Sequence, residues 1–357
     1  MTPDPVTHLM QQGIKEKVFP GAVLLCAKRH KILYYQAFGV ADLTTQRPVA
    51  YNDLFDLASL TKPLATAMAM MVLVQENHVD PDACLKDLLP VTAGTPKARI
   101  TLDMLLRHTS GLPAHRDYFR QVKDRTDPLQ AMNHLILSEP LTSPPGRNQV
   151  YSDLGYMLLS RVIRGVTQTR LDCFVQDRVY QPLGIVDLFF IDRASPPGEE
   201  VQSRLVSTRS CPWRGRVLKG EVEDENAWVS GGIQGHAGLF GSATAVYHLC
   251  LEILCAMEQR SPRVLNPAVA GKFVQKYPGH TLAAGFDTPT QTGSAAGNFF
   301  SPRTVGHLGF TGTSFWIDPE NGVIVILLTN RVHPSRSNLK IREFRPKIHD
   351  CIACCLL

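Results

Sequence analysis

The chain reads as an α+β fold: one antiparallel sheet built from the N- and C-terminal segments, flanked by helices, with a mainly helical segment inserted between them. Three observations predict it. Strand patterns occupy residues 21–39 and return only at 311–330. The stretch 80–200 is mainly helical in pattern, broken by Pro- and Gly-rich connections. There is no internal repeat, and a composition of 44% hydrophobic and 19% charged residues suits a large core.

Taken in order, residues 5–17 form an amphipathic helix. Gly21–Lys28 and Lys31–Gly39 are two strands around a tight polar turn at Arg29-His30. A polar loop with Pro48 and Asn52 leads to a helix over about Ser59–Asn77. Its second half, Ala67–Val74, is apolar on every face and is expected to be buried all round. Helices follow, with connections at Ser110–Pro113, Ser143–Arg147 and Ser195–Gly198. Gly231–Gly241 is a Gly-rich turn that opens into a helix from Ser242. Thr311–Ile317 and Val323–Asn330 are strands around the turn Asp318–Gly322. A final helix, Asn338–Leu356, is expected to break near Pro346. The whole, 1–357, reads as one catalytic domain, with a sheet part at about 1–56 and 203–357 and a helical part at about 57–202.

Several function classes are disfavoured. The net charge of +5 is small, and Lys and Arg are scattered, so no nucleic-acid partner is expected. The basic stretch Lys340–Lys347 reads as the solvated face of a helix. Residues 1–20 lack the apolar stretch of a secretory signal, and Ala67–Val74 is too short to cross a bilayer. The expected location is therefore the cytoplasm, with no transmembrane segment. Nine cysteines, several within apolar runs, fit reduced thiols. The tail cluster Cys351, Cys354 and Cys355 lacks a second ligand pair, and no zinc spacing exists, so no metal and no cofactor is expected. Glu223–Glu225 reads as a solvated acidic loop, and Arg107, His108 and Ser110 as braces of a turn. Oligomeric state is not legible.

Three elements carry chemistry. In Ser59-Leu60-Thr61-Lys62, positions i and i+3 of a helix share a face, so the Lys62 amine is aimed at the Ser59 hydroxyl. A serine is a weak nucleophile until a base takes its proton, and a buried lysine can be that base. In Tyr151-Ser152-Asp153, a phenol beside an amine can share a proton with it. In Gly306-His307-Leu308-Gly309-Phe310-Thr311-Gly312, glycines on an edge strand let a substrate backbone approach, and the Phe310 N–H can join that of Ser59 as an oxyanion hole.

The order S-x-x-K, Y-x-[ND], [KH]-x-G resembles the serine β-lactamases and penicillin-binding proteins. The tyrosine points to the class C branch, with its D-Ala-D-Ala carboxypeptidases, D-aminopeptidases and carboxylesterases. The resemblance extends to Phe19–Val23, Leu105–Pro113, Gly231–Ser242 and Thr329–Pro334. It implies a β-lactamase-like fold and a serine hydrolase acting through an acyl-serine on a small amide, peptide or ester. Ser59 would be the nucleophile. Lys62 and Tyr151 would move its proton, Ser59 and Phe310 would offer oxyanion N–H groups, and Asp153, His307, Gly309 and Thr311 would bind substrate. Asp153 stands where many relatives carry asparagine, and an ionised aspartate only accepts hydrogen bonds. His307 stands where class C β-lactamases carry lysine, so Arg303 or Arg331 is expected to supply the charge for a substrate carboxylate. Both departures favour a small peptide or ester over penicillin. The alternative is a non-hydrolytic sensor of the same fold that binds cell-wall peptides or β-lactams.

Overall fold

A computed structural model describes residues 4–356. Its main sheet has five antiparallel strands: β1 (Gly21–Lys28), β2 (Lys31–Gly39), β3 (Val305–Leu308), β4 (Ser314–Asp318) and β5 (Val323–Thr329). The spatial order is β2-β1-β5-β4-β3, so the two ends of the chain meet at the centre, where Leu25 pairs with Ile326. The last two residues of β1 flank a hairpin at Arg29-His30, as its polar turn predicts.

Continuous apolar runs in β1 and β5 follow from burial on both faces. Val23, Leu25, Ile324, Ile326 and Leu328 face the large core, which includes α2 (Met68–Gln75), α3 (Asp153–Thr167) and α4 (Ala243–Met257). Ala22, Leu24, Val325 and Leu327 face the other way, against α1 (Pro5–Lys15) and α5 (Ile341–Leu356). A three-stranded sheet of Phe55–Asp56, Leu239–Gly241 and Leu188–Phe190 ties the segment before Ser59 to the rest.

Three expectations are corrected. The helix over Ser59–Asn77 is composite: a 3₁₀ turn at Ala58–Leu60, a π-helical segment at Lys62–Ala67, then α2. The strand after the third motif begins at Ser314, not Thr311, because Gly309–Thr313 closes a turn in which the Gly309 N–H donates to the Thr313 carbonyl at 2.7 Å. Helix α5 begins at Ile341 and runs through Pro346 unbroken. Residues on both sides of the proline, Ile341, Phe344, Ile348 and Ile352, are buried against the sheet, and this packing overrides the one missing backbone bond. Among the described residues no helix is long and apolar enough to cross a membrane.

Candidate active site

The turn that presents Ser59 is set before the serine itself. The buried Asp56 carboxylate accepts from the Ala58 N–H at 2.8 Å and the Glu223 N–H at 2.6 Å. Burial pushes its pKa up to about 6. These bonds hold Ala58 at φ 49°, a left-handed conformation that costs a non-glycine residue about 1–2 kcal/mol. The Thr61 hydroxyl closes the turn by donating to the Ala58 carbonyl at 2.6 Å and accepting from the Leu239 N–H at 3.1 Å.

Lys62 follows at the start of the π-helical segment and is 0% exposed. Its ammonium spends all three N–H groups: on Ser59 Oγ at 3.1 Å, Asp153 Oδ1 at 2.7 Å and the His236 carbonyl at 3.3 Å. Burial alone would lower its proton affinity. The charge of Asp153, with Tyr151 and the hydrogen bonds, outweighs that, and the pKa is raised. The Asp153 carboxyl is pushed up by burial but pulled far below the usual carboxylate range by Lys62, and by its bond to His115. The resting pair is therefore an ammonium and a carboxylate.

Tyr151 lies just before the cap of α3. Ser152 caps that helix, accepting from the Gly155 N–H, and donates to the Pro113 carbonyl at 2.7 Å. The Ser152 N–H donates to His108 Nδ1 at 2.9 Å. The Tyr151 ring stands between His108 (centroids 4.6 Å apart) and His307 (5.9 Å), with Lys62 Nζ 4.6 Å from its own centroid. Burial pushes the phenol up, and Lys62 and Ser59, at hydrogen-bonding range rather than in closed bonds, pull it back. His108 thus braces the Tyr151 turn, and burial keeps it neutral with a pKa well below its usual value.

The third motif forms the opposite wall. His307 on β3 is buried, and burial plus the Lys62 charge lower its pKa to about 3. Its Nδ1 lies 3.0 Å from the Leu308 carbonyl, which requires the proton on that nitrogen and leaves Nε2 an acceptor. His307 is therefore neither a cation nor an Nε2 donor for substrate. Gly309 admits no side chain: a Cβ there would sit 2.0 Å from Thr313 Oγ1 and 2.8 Å from the Leu57 carbonyl. Thr311 is buried in the turn and donates to the Asp56 carbonyl at 2.7 Å, so its hydroxyl joins the two walls instead of facing the cleft.

Ser59, Gly309 and Phe310 line one cavity of about 450 Å³ together with Arg331, Arg342 and Arg345. Arg331 holds the wall: its Nε donates to the Phe310 carbonyl at 2.8 Å, Nη2 donates to the same oxygen, and Nη1 donates to the carbonyls of Arg336 (2.8 Å) and Asn338 (2.6 Å). Arg303 lines a different cavity. Neither expected arginine is free for a substrate anion. Arg345, missed in the sequence, is buried, donates through Nη2 to the carbonyls of Gly309 and Thr313, and keeps an unpartnered Nε. Burial lowers its pKa to about 9. Among the described residues neither Arg342 nor Arg345 forms an ion pair with a carboxylate.

His115 was also missed. Its Nδ1 lies 3.1 Å from Asp153 Oδ2. Glu223–Glu225 is not a solvated loop. Glu223 and Glu225 pair with Arg209 and Arg336, and Asp224 caps a helix and bonds His236 Nε2 at 3.0 Å. Among the described residues no three His, Cys, Asp or Glu side chains are grouped to hold a metal ion.

The Beta-lactamase family model matches residues 6–348. A protein of Salmonella paratyphi A named "Putative D-alanyl-D-alanine carboxypeptidase" is 30% identical over 374 aligned residues, covering 94% of this chain and 84% of that one. The solved structure of EstCE1, a hydrolase with promiscuous acyltransferase activity, superposes with a TM-score of 0.74 at 24% identity, covering 96% of this chain and 97% of that one. The octameric penicillin-binding protein homologue from Pyrococcus abyssi superposes at 0.75 with 19% identity, covering 99% and 77%. The chain belongs to the Beta-lactamase family.

Proposed function

We propose that the protein is a serine hydrolase that forms an acyl-Ser59 intermediate with a small amide, peptide or ester carrying an anionic group. The observation that carries this reading is the 3.1 Å contact between Lys62 Nζ and Ser59 Oγ, at the mouth of a cavity beside Gly309 and Phe310. Ser59 Oγ bonds to the acyl carbon, and its proton passes to the Lys62–Tyr151 pair. The tetrahedral oxyanion is held by the N–H groups of Ser59 and Phe310. Collapse breaks the bond to the leaving group, which takes the proton from the same pair. Water then adds to the acyl carbon, the Ser59 ester bond breaks, and a proton returns to Oγ. Lys62 rests as an ammonium, so it takes part as a base only after losing a proton, and the rate rises with pH.

Arg342 and Arg345 support an anionic substrate. A guanidinium without a carboxylate beside a cavity favours a ligand that brings one. That feature, with the carboxypeptidase relative, favours a peptide ending in D-alanine. Asp153 is committed to Lys62 and offers a substrate amide no donor, which argues against efficient β-lactam turnover.

The test compares hydrolysis of a D-Ala-D-Ala peptide, a p-nitrophenyl ester and nitrocefin, with mass spectrometry after a fluorophosphonate. The expected result is a mass adduct on Ser59, faster turnover of the peptide or ester than of nitrocefin, and loss of on the order of 10⁴-fold or more in Ser59→Ala. An adduct without turnover of any substrate would favour the sensor reading. Full activity in Ser59→Ala would end both.

A further inference from the structure

Lys62 has a second-neighbour cation that the three motifs do not contain. Asp153 uses both carboxylate oxygens, Oδ1 for Lys62 Nζ at 2.7 Å and Oδ2 for His115 Nδ1 at 3.1 Å. The other ring nitrogen of His115 lies 3.5 Å from Asp117 Oδ1. The chain Asp117–His115–Asp153–Lys62–Ser59 therefore runs from the surface, where His115 is 42% exposed, to a fully buried amine. We propose that His115 is a positioning residue for acyl transfer: its imidazolium clamps Asp153 from the solvent side, and by drawing on that carboxylate it loosens the hold of Asp153 on the Lys62 proton. This rests on the reading of Ser59 as a nucleophile served by Lys62.

Three carboxylates from three segments face His115: Asp153 at the start of α3, Asp117 on its own loop, and Asp224 before the helix Glu225–Val229. Its bond to Asp153 is the largest influence, and the pKa is raised to about 9. The cations Lys62 and His236 lie beyond Asp153, on its far side from solvent or beside Asp224. At neutral pH His115 is charged, and Asp153 lies between two cations. A carboxylate shared between two cations stabilises each less than it would alone. Loss of the His115 charge leaves Asp153 wholly to Lys62, and the Lys62 proton then comes off at higher pH. If the phenol of Tyr151 takes the Ser59 proton instead, the sign is the same, because losing a nearby cation raises that group too.

The experiment is the pH profile of kcat/KM for His115→Gln and His115→Lys, read beside an NMR titration of the His115 ring. His115→Gln keeps a polar group without charge. Its acid limb is expected to move up by half a pH unit or more, with a several-fold loss at pH 7 and a smaller loss at pH 9. His115→Lys restores a cation and is expected to bring the limb back. A uniform loss at every pH, with no shift and no recovery in His115→Lys, would overturn the proposal and leave His115 a structural residue. The ring titration needs no turnover: it is expected above pH 8 in the parent and near its usual 6.5 in Asp153→Asn. A parent value near 6.5 overturns the clamp even if the enzyme is active. An inactive parent with the raised titration would instead point to failure of the hydrolase reading.

Discussion

Asp153 sets the protonation of the centre more than any other single side chain. An asparagine at this position would be a neutral neighbour to Lys62; the carboxylate instead contributes a full negative charge at 2.7 Å from Nζ. Burial lowers the Lys62 pKa and Asp153 raises it, with the second effect winning. The sign follows directly. A base must lose its proton before it can act, so a raised pKa puts the acid limb of the rate profile at higher pH. Removing the charge lowers the Lys62 pKa and moves that limb down. Asp153→Asn is expected to shift the acid limb of kcat/KM by about one pH unit or more, with one unit corresponding to about 1.4 kcal/mol. The ratio of activity at pH 6 to that at pH 8 would rise accordingly. Stopped assays over pH 5–10 on the favoured substrate check this. A limb that stays in position would mean that a group other than Lys62 controls it.

At the scale of an element, the turn Gly309–Thr313 is held from behind by two guanidiniums. Arg331 donates twice to the Phe310 carbonyl, and Arg345 donates to the carbonyls of Gly309 and Thr313. With those oxygens fixed away from the cleft, the Phe310 N–H has a defined direction. Arg331→Lys keeps the charge but loses the planar fork that reaches three carbonyls at once. It is expected to lower kcat by about 10- to 100-fold with a smaller change in KM, the pattern of a lost transition-state contact. Equal losses in both would show that the turn serves binding only. This turn also shows what the sequence reveals and what it hides. Ser59, Lys62 and Tyr151 were legible because their chemistry lies in their own side chains and in short spacings. The β1–β2 hairpin was legible because a polar dipeptide interrupts two apolar runs. Arg345, His115 and the pairing of Glu223 with Arg336 were not, because each depends on a partner far along the chain. Pro346 misled for the same reason: its local preference for a break is overridden by burial on the sheet.

At the scale of the whole molecule, both ends of the chain meet in one sheet, and Asn330 is the polar group that locks them. It follows β5 directly and is buried. Its Oδ1 accepts from the Gly21 N–H at 2.8 Å, and its Nδ2 donates to the carbonyls of Ala41 (3.2 Å) and Ser207 (3.3 Å). One amide thus joins the start of β1, the loop after β2 and a segment beyond the helical insertion. No apolar residue can replace it, since truncation leaves one N–H without its acceptor and two carbonyls without this donor. Each buried group so stranded costs about 1–3 kcal/mol, unless water enters. Asn330→Ala is therefore expected to lose about 3 kcal/mol, a large share of the roughly 5–15 kcal/mol that holds a domain folded. In urea the midpoint would fall while the slope stays constant, because the surface exposed on unfolding is unchanged. An unchanged midpoint would show that the apolar pairing of β1 with β5 suffices to join the ends. A shallower slope would show instead that the sheet and the helical insertion unfold separately, with Asn330 as the link between them.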